Sequence, residues 1–287
     1  MFSITMGVAL LKDTLFTVHP GALFGFDSTT GERVIVVRSI PGGAGGFLEP
    51  TSVTTWNDDL VLLSFPFGAV QIYDPFTETL KLTTIFGGPI DAHPFQDGLI
   101  VTEVQNGTVV FASGDDLGER EVIYTSPGVT FLTGNETDVY LTDILDQTLY
   151  RIIQDGEVLD PPTVVATGFA APEGIVLLPD GDKILLVDAG KESLEEVDTM
   201  TGNVETIATD LGFLPGIPGL DFGFANDVAV GDSGAIYVSG DRANVIYKFE
   251  SSTGGTTMSS AVSSLSHAFP FMLMRAFFSF FLGTLAV

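Results

Sequence analysis

The sequence predicts an all-β protein, a six-bladed β-propeller of four-stranded blades with its last blade incomplete. Three observations predict it. Short apolar runs recur at a nearly constant interval, each run is followed by the same succession of turn and strand, and helical periodicity is scarce in a chain carrying 33 Gly and 23 Phe among 287 residues.

The apolar runs begin at Leu15, Leu60, Leu99, Val139, Ile184 and Ile236, giving intervals of 45, 39, 40, 45 and 52 residues. About ten residues later a second run follows (LFGFD at Leu23, VQIYD at Val70, TVVFA at Thr108, TLYRI at Thr148, LEEVD at Leu194, VIYKF at Val245). A turn rich in Asp, Thr and Gly comes next, as in DSTTGE at Asp27, DPFTET at Asp74 and DTMTGN at Asp198. These residues suit turns because they cap their own backbone or tolerate positive φ. A third run closes most units (RVIVV at Arg33, LKLTTI at Leu80, REVIYT at Arg120, NVETIA at Asn203), with VVAT at Val164 the weaker counterpart. Before each first run lies a further short strand, such as GVALL at Gly7, GVTFL at Gly128, GIVLL at Gly174 and DVAV at Asp227. Four strands per unit, with central strands apolar on both faces, fit sheets stacked face to face around a ring. A β-sandwich has no reason to repeat strand–turn–strand at this interval.

The propeller is expected over residues 1–250, with Met1–Leu11 as a strand rather than a signal peptide. A Ser/Gly/Thr-rich linker is expected over 251–268 and an apolar tail over 269–287. The tail holds one charge, Arg275, and three readings stay open: a membrane span, the removable tail of a GPI signal, or a segment that patches the last blade. The expected location is extracellular or membrane-anchored, and the expected state is a monomer. Two Asn-X-Thr triplets, at Asn106 and Asn135, would accept glycans in a secreted chain.

Composition excludes several function classes. A net charge of −26, with 11 basic residues, repels phosphate backbones and argues against nucleic-acid binding. The absence of cysteine removes disulfide and thiolate chemistry. The three histidines, His19, His93 and His267, lack zinc-site spacing.

The first strand of each propeller unit begins near the central channel, so residues at those starts converge. Counting back from the apolar runs places Glu49, Glu173 and Asn226 there, with Asp91 nearby in the third unit and only Gly128 in the fourth. Carboxylate and amide oxygens are what Ca²⁺ takes, so Glu49, Glu173 and Asn226 are candidate metal ligands. Asp91 and His93 are candidates for proton transfer. The plainer alternative is that such acidic residues bond to backbone amides of the next blade. Asp143 and Asp188, ending apolar strands, are expected to fix turns, and Trp56 to pack.

PEGIVLLPDGDKILLVDAG and ANDVAVGDSGAIYVSGD resemble the repeats of the senescence-marker-protein/gluconolactonase group and, more loosely, NHL repeats and strictosidine-synthase-like propellers. The resemblance is clearest over 169–249. It implies a divalent cation, usually Ca²⁺, in the central channel, polarising a lactone, ester or phosphoryl oxygen. Asn226 matches the group's "ND" asparagine, Glu173 stands where Asn is usual, and Glu49 matches a glutamate by role. The group's catalytic aspartate has its nearest counterpart in Asp91. Two functions are therefore expected: a non-catalytic NHL-like propeller binding a small molecule or protein through its loop face and held at a membrane by its tail, or a Ca²⁺-dependent lactonase or esterase.

Overall fold

A computed structural model describes residues 6–213, apart from 20, 39, 43–45 and 48, together with 226–252 and 255–263. The tail at 269–287 lies outside the described residues, as do residues 1–5. No helix among the described residues is long and apolar enough to cross a membrane.

Six four-stranded antiparallel sheets follow one another along the chain, each made of four consecutive strands. Their inner strands are Met6–Leu11, Ser52–Trp56, Pro89–Phe95, Val129–Gly134, Pro172–Leu177 and Val228–Val230. Each inner strand touches the next, and the last touches the first, which closes a six-membered ring. The expected propeller is therefore the observed fold.

The second strand of each blade explains why the repeat is so visible. Asp59–Ser64 and Gly98–Glu103 are buried along their whole length. A strand covered by a blade on either side has no face left for polar residues, so it reads as an unbroken apolar run. The core divides into six clusters, each lying between two adjacent blades. One joins Phe16 and Leu23 of the first blade to Leu60 and Leu62 of the second. Another joins Val8 and Leu15 of the first blade to Tyr237 and Ile246 of the sixth. Each buried Leu or Phe contributes about 1.5–3 kcal/mol of transfer free energy, so the blades adhere mainly through these walls. Outer strands such as Arg33–Arg38 and Glu119–Thr125 are largely exposed.

The turns behave as their composition implies. Asp27, Asp74 and Asp198 each accept two backbone N–H groups from the residues two and three positions on. These bonds favour the carboxylate form and lower the pKa of all three.

The sixth blade is the irregular one. Its inner strand is only three residues long, and its edge is Gly255–Ser263, which pairs along Val245–Ser252. Part of the segment expected as a linker thus supplies an edge strand. Among the described residues no strand is exchanged between the first and sixth blades. The seam between the sixth and first blades is held by the apolar cluster and by three hydrogen bonds: Val8 N–H donates to Asp227 Oδ2 at 3.1 Å, Tyr237 Oη donates to Ser28 O at 3.0 Å, and Lys248 Nζ donates to Ser28 O at 3.2 Å.

Candidate functional site: the central channel

The six inner strands surround a cavity of about 310 Å³. Four of them carry an irregularity in pairing with their neighbour: between Met6 and Val8, Pro89 and Ala92, Val129 and Leu132, and Pro172 and Ile175. Such bulges leave backbone groups without a ladder partner and re-aim side chains. Those groups lie in the interior and must find partners elsewhere.

Two kinds of side chain supply them. The first is a buried hydroxyl on the second strand. Thr17 Oγ1 donates to Gly7 O at 2.9 Å, and Ser64 Oγ donates to Glu49 O at 2.7 Å. Asp91 N–H donates to Thr102 Oγ1 at 3.0 Å, Phe131 N–H to Thr142 Oγ1 at 3.0 Å, and Asp227 N–H to Ser239 Oγ at 2.8 Å. All five hydroxyl residues are fully buried. Sequence reasoning missed them, although the signal was present: each is the lone hydroxyl inside an apolar run, in LFTV, LVLLS, LIVT, VYLT and IYVS.

The second kind is a carboxylate that reaches to the next blade. Asp91 Oδ1 accepts from Ala92 N–H at 2.8 Å, and its Oδ2 accepts from Leu132 N–H of the fourth blade at 2.8 Å. Asp227, also missed from sequence, repeats the arrangement, with Oδ1 on Val228 N–H at 2.8 Å and Oδ2 on Val8 N–H. Burial pushes the Asp91 pKa well up, and the Asp227 charge pushes it further. Burial pushes Asp227 up to about 7, against the downward pull of its two backbone donors. No lysine or arginine lines the cavity to offset either group.

Glu173 and Asn226 do come together. Glu173 Oε2 accepts from both the backbone N–H and the Nδ2 of Asn226, each at 3.0 Å, and Asn226 Oδ1 accepts from Asp241 N–H at 3.2 Å. Gly174 permits this approach, because a Cβ there would lie 2.5 Å from Asp227 Cα. The amide of Asn226 therefore presents its NH₂ to Glu173 and spends its oxygen on the backbone, an orientation unlike that of a cation ligand. Glu49 is half-buried, and burial raises its pKa. Among the described residues no three His, Asp or Glu side chains stand close enough to hold one metal ion. The donor set read from the sequence thus does not fit Ca²⁺ as placed.

His93 lines the cavity on the same strand as Asp91. Its Nε2 is buried without a hydrogen-bond partner, and burial lowers the pKa to about 4. The imidazole is neutral at pH 7, and its free nitrogen is covered, so it is poorly placed as a general base. Asp143 fixes a turn as expected, whereas Asp188 does not cap the turn after it but holds the segment that enters the inner strand Pro172–Leu177. Asp143 Oδ1 accepts from Leu145 and Asp146 N–H, and Asp188 accepts from Ala170 and Ala171 N–H at 2.9 Å each. Gly128 is required beside Asp143, since a Cβ there would fall 1.8 Å from Asp143 Oδ1. Trp56 is partly buried and packs against the cluster between the second and third blades.

Comparison with solved structures agrees on the architecture. Virginiamycin B lyase from Staphylococcus aureus superposes with a TM-score of 0.59 at 13% identity, over 86% of this chain and 81% of that one. A streptogramin B lyase gives 0.63 at 14% identity, over 92% and 84%. The WD40 propeller domain of Doa1 gives 0.59 at 15%, over 87% and 80%. The shared property is the propeller fold. No family model matches the chain, and no curated protein matches it significantly.

Proposed function

We propose that this chain is a non-catalytic, NHL-like binding propeller that holds a small molecule or protein at its loop face, outside the cell or at its membrane. One observation carries the reading: the acidic groups that channel chemistry would need are engaged in joining blades. Asp91 holds Leu132, Asp227 holds Val8 and Glu173 holds Asn226. Propellers of this kind serve both catalysis and binding, as the lyase and WD40 neighbours illustrate, so the site has to decide. At the end of the ring where second strands turn into third strands, Phe67 and Leu145 are 51% and 58% exposed.

The test sets turnover against stability. The full chain is assayed on lactones and esters with EDTA or Ca²⁺, and its melting midpoint is followed in both. Binding to the native state alone would raise the midpoint with cation concentration. The binding reading expects background turnover and an unchanged midpoint, with Glu173→Gln lowering the midpoint. Calcium-dependent turnover that Glu173→Gln abolishes without loss of stability would replace it with the lactonase-type reading.

A further inference from the structure

The asparagines of the two Asn-X-Thr triplets are both exposed, but their amide nitrogens are held differently. Asn106 lies in the turn after Gly98–Glu103 of the third blade. Its Nδ2 donates to Glu103 Oε2 at 3.0 Å, and Thr108 Oγ1 donates to the same oxygen at 2.8 Å. Glu103 Oε1 accepts from Gly87 N–H at 2.6 Å, tying the turn to the link from the second blade. The amide is packed onto that link, because a Cβ on Gly87 would lie 2.1 Å from Asn106 Nδ2. A sugar on this nitrogen would have to displace the Gly87 backbone.

Asn135 lies in the turn between the first two strands of the fourth blade, and Asn135, Glu136 and Thr137 are all exposed. Its Oδ1 accepts from Thr137 N–H at 2.9 Å, Thr137 Oγ1 at 3.1 Å and Asp138 N–H at 2.8 Å. The Thr137 hydroxyl has one proton to share between this oxygen and Asp138 Oδ2 at 2.8 Å, so it is the two backbone donors that fix the carbonyl side of the amide toward the turn, which leaves Nδ2 facing away from it. Nδ2 makes no hydrogen bond within the described chain. On the neighbouring blade Gly181 approaches it without crowding, since even an added Cβ there would reach only ordinary contact at 4.0 Å. The hydroxyl of the threonine that defines the triplet stands 3.1 Å from the amide oxygen, and the two backbone donors on that oxygen make the N–H more acidic.

We propose that Asn135 is the acceptor of an N-linked glycan and that Asn106 is not. The donor is an oligosaccharide carried on a lipid pyrophosphate, presented by a transferase. Nδ2 of Asn135 bonds to the anomeric carbon, the bond from that carbon to the pyrophosphate oxygen breaks, one amide proton leaves, and the lipid pyrophosphate departs with the electron pair. The inference rests on the extracellular location proposed above. Supplying a secretory signal separates the two, because the location is then imposed and only the choice of site is read.

The full chain is expressed behind an added cleavable signal in eukaryotic cells, and occupancy of each asparagine is measured in the secreted protein by glycopeptide mass spectrometry. The expected result is a glycan at Asn135 in most molecules and at Asn106 in few. Asn135→Gln and Thr137→Ala should each remove one glycan's mass and leave secretion intact, whereas Asn106→Gln should leave the glycan in place. Equal occupancy at both sites, occupancy at Asn106 alone, or a secreted chain bare at both overturns the proposal.

Discussion

Asp91 and Asp227 do the same work three blades apart: each gives one oxygen to the N–H of the residue that follows it and the other to an inner-strand N–H of the next blade. The ring thus carries two carboxylate staples in its channel, one joining the third blade to the fourth and one joining the sixth to the first.

The staples should give the fold a measurable pH response. The folded pKa of Asp227 stands at about 7, above its ordinary value of 3.8, so between these limits the folded chain holds a proton that the unfolded chain has lost. Its contribution to stability is full at low pH and disappears as pH rises through about 7. His93 works in the opposite sense. Its folded pKa is about 4 against an ordinary 6.5, so stability is lost as pH falls through that interval. Melts of wild type, Asp227→Asn and His93→Phe from pH 4 to 8 resolve the two. Relative to wild type, Asp227→Asn should gain stability with rising pH and His93→Phe should gain it with falling pH. Parallel curves for all three would show that neither group is desolvated as described.

The buried hydroxyls should matter more than their size indicates. Thr142→Val keeps the shape but leaves Phe131 N–H without its acceptor, while Thr130 Oγ1 keeps its bond to the carbonyl of residue 142. The expected cost is about 1–3 kcal/mol, that of an unsatisfied buried polar group. Denaturant titration with an unchanged slope would measure it, and a neutral result would mean that water takes the place of the hydroxyl.

Loss of the Glu173 carboxylate strands two donors of Asn226 in a fully buried place. Glu173→Ala should cost about 2–5 kcal/mol, near the upper end for single substitutions. Glu173→Gln, which retains an acceptor oxygen, should cost less. If the two substitutions proved equally mild, the pairing with Asn226 would not be what holds the fifth blade to the sixth.

The seam offers a local test. Tyr237→Phe deletes the donor to Ser28 O and should cost about 1 kcal/mol. Amide exchange should quicken in Met6–Leu11 and Val228–Val230 before it quickens in Val129–Gly134. Uniform acceleration around the ring would mean that the molecule opens as one unit.

The sequence displayed the ring more clearly than the channel, for a physical reason. Leu60–Leu63 and Leu99–Val101 are sandwiched by neighbouring blades, and burial on both faces writes itself into composition. Proximity was also legible: counting back from the apolar runs brought Glu173 and Asn226 together, and they are bonded. The use of these groups was not legible, because it depends on which backbone amides the bulges leave bare, and strand spacing does not encode a bulge. Asp227 was overlooked for the same cause. In the sequence it stands only as the first residue of the DVAV strand, and the missing ladder bond of Val8, more than two hundred positions away, is what gives it a task. Thr17, Thr102 and Thr142 were hidden by being acceptable strand formers in their own right.

Because each blade is a run of consecutive strands and, among the described residues, none is shared across the seam, the order in which the blades are synthesised is not written into the finished ring. Joining the two ends by a tether and cutting at the Pro179–Asp182 turn or another exposed hairpin would yield a permuted chain with the same walls and staples. The same modularity lets whole blades be added or removed by duplication, with the ring re-closing on whichever pair of neighbours is left facing.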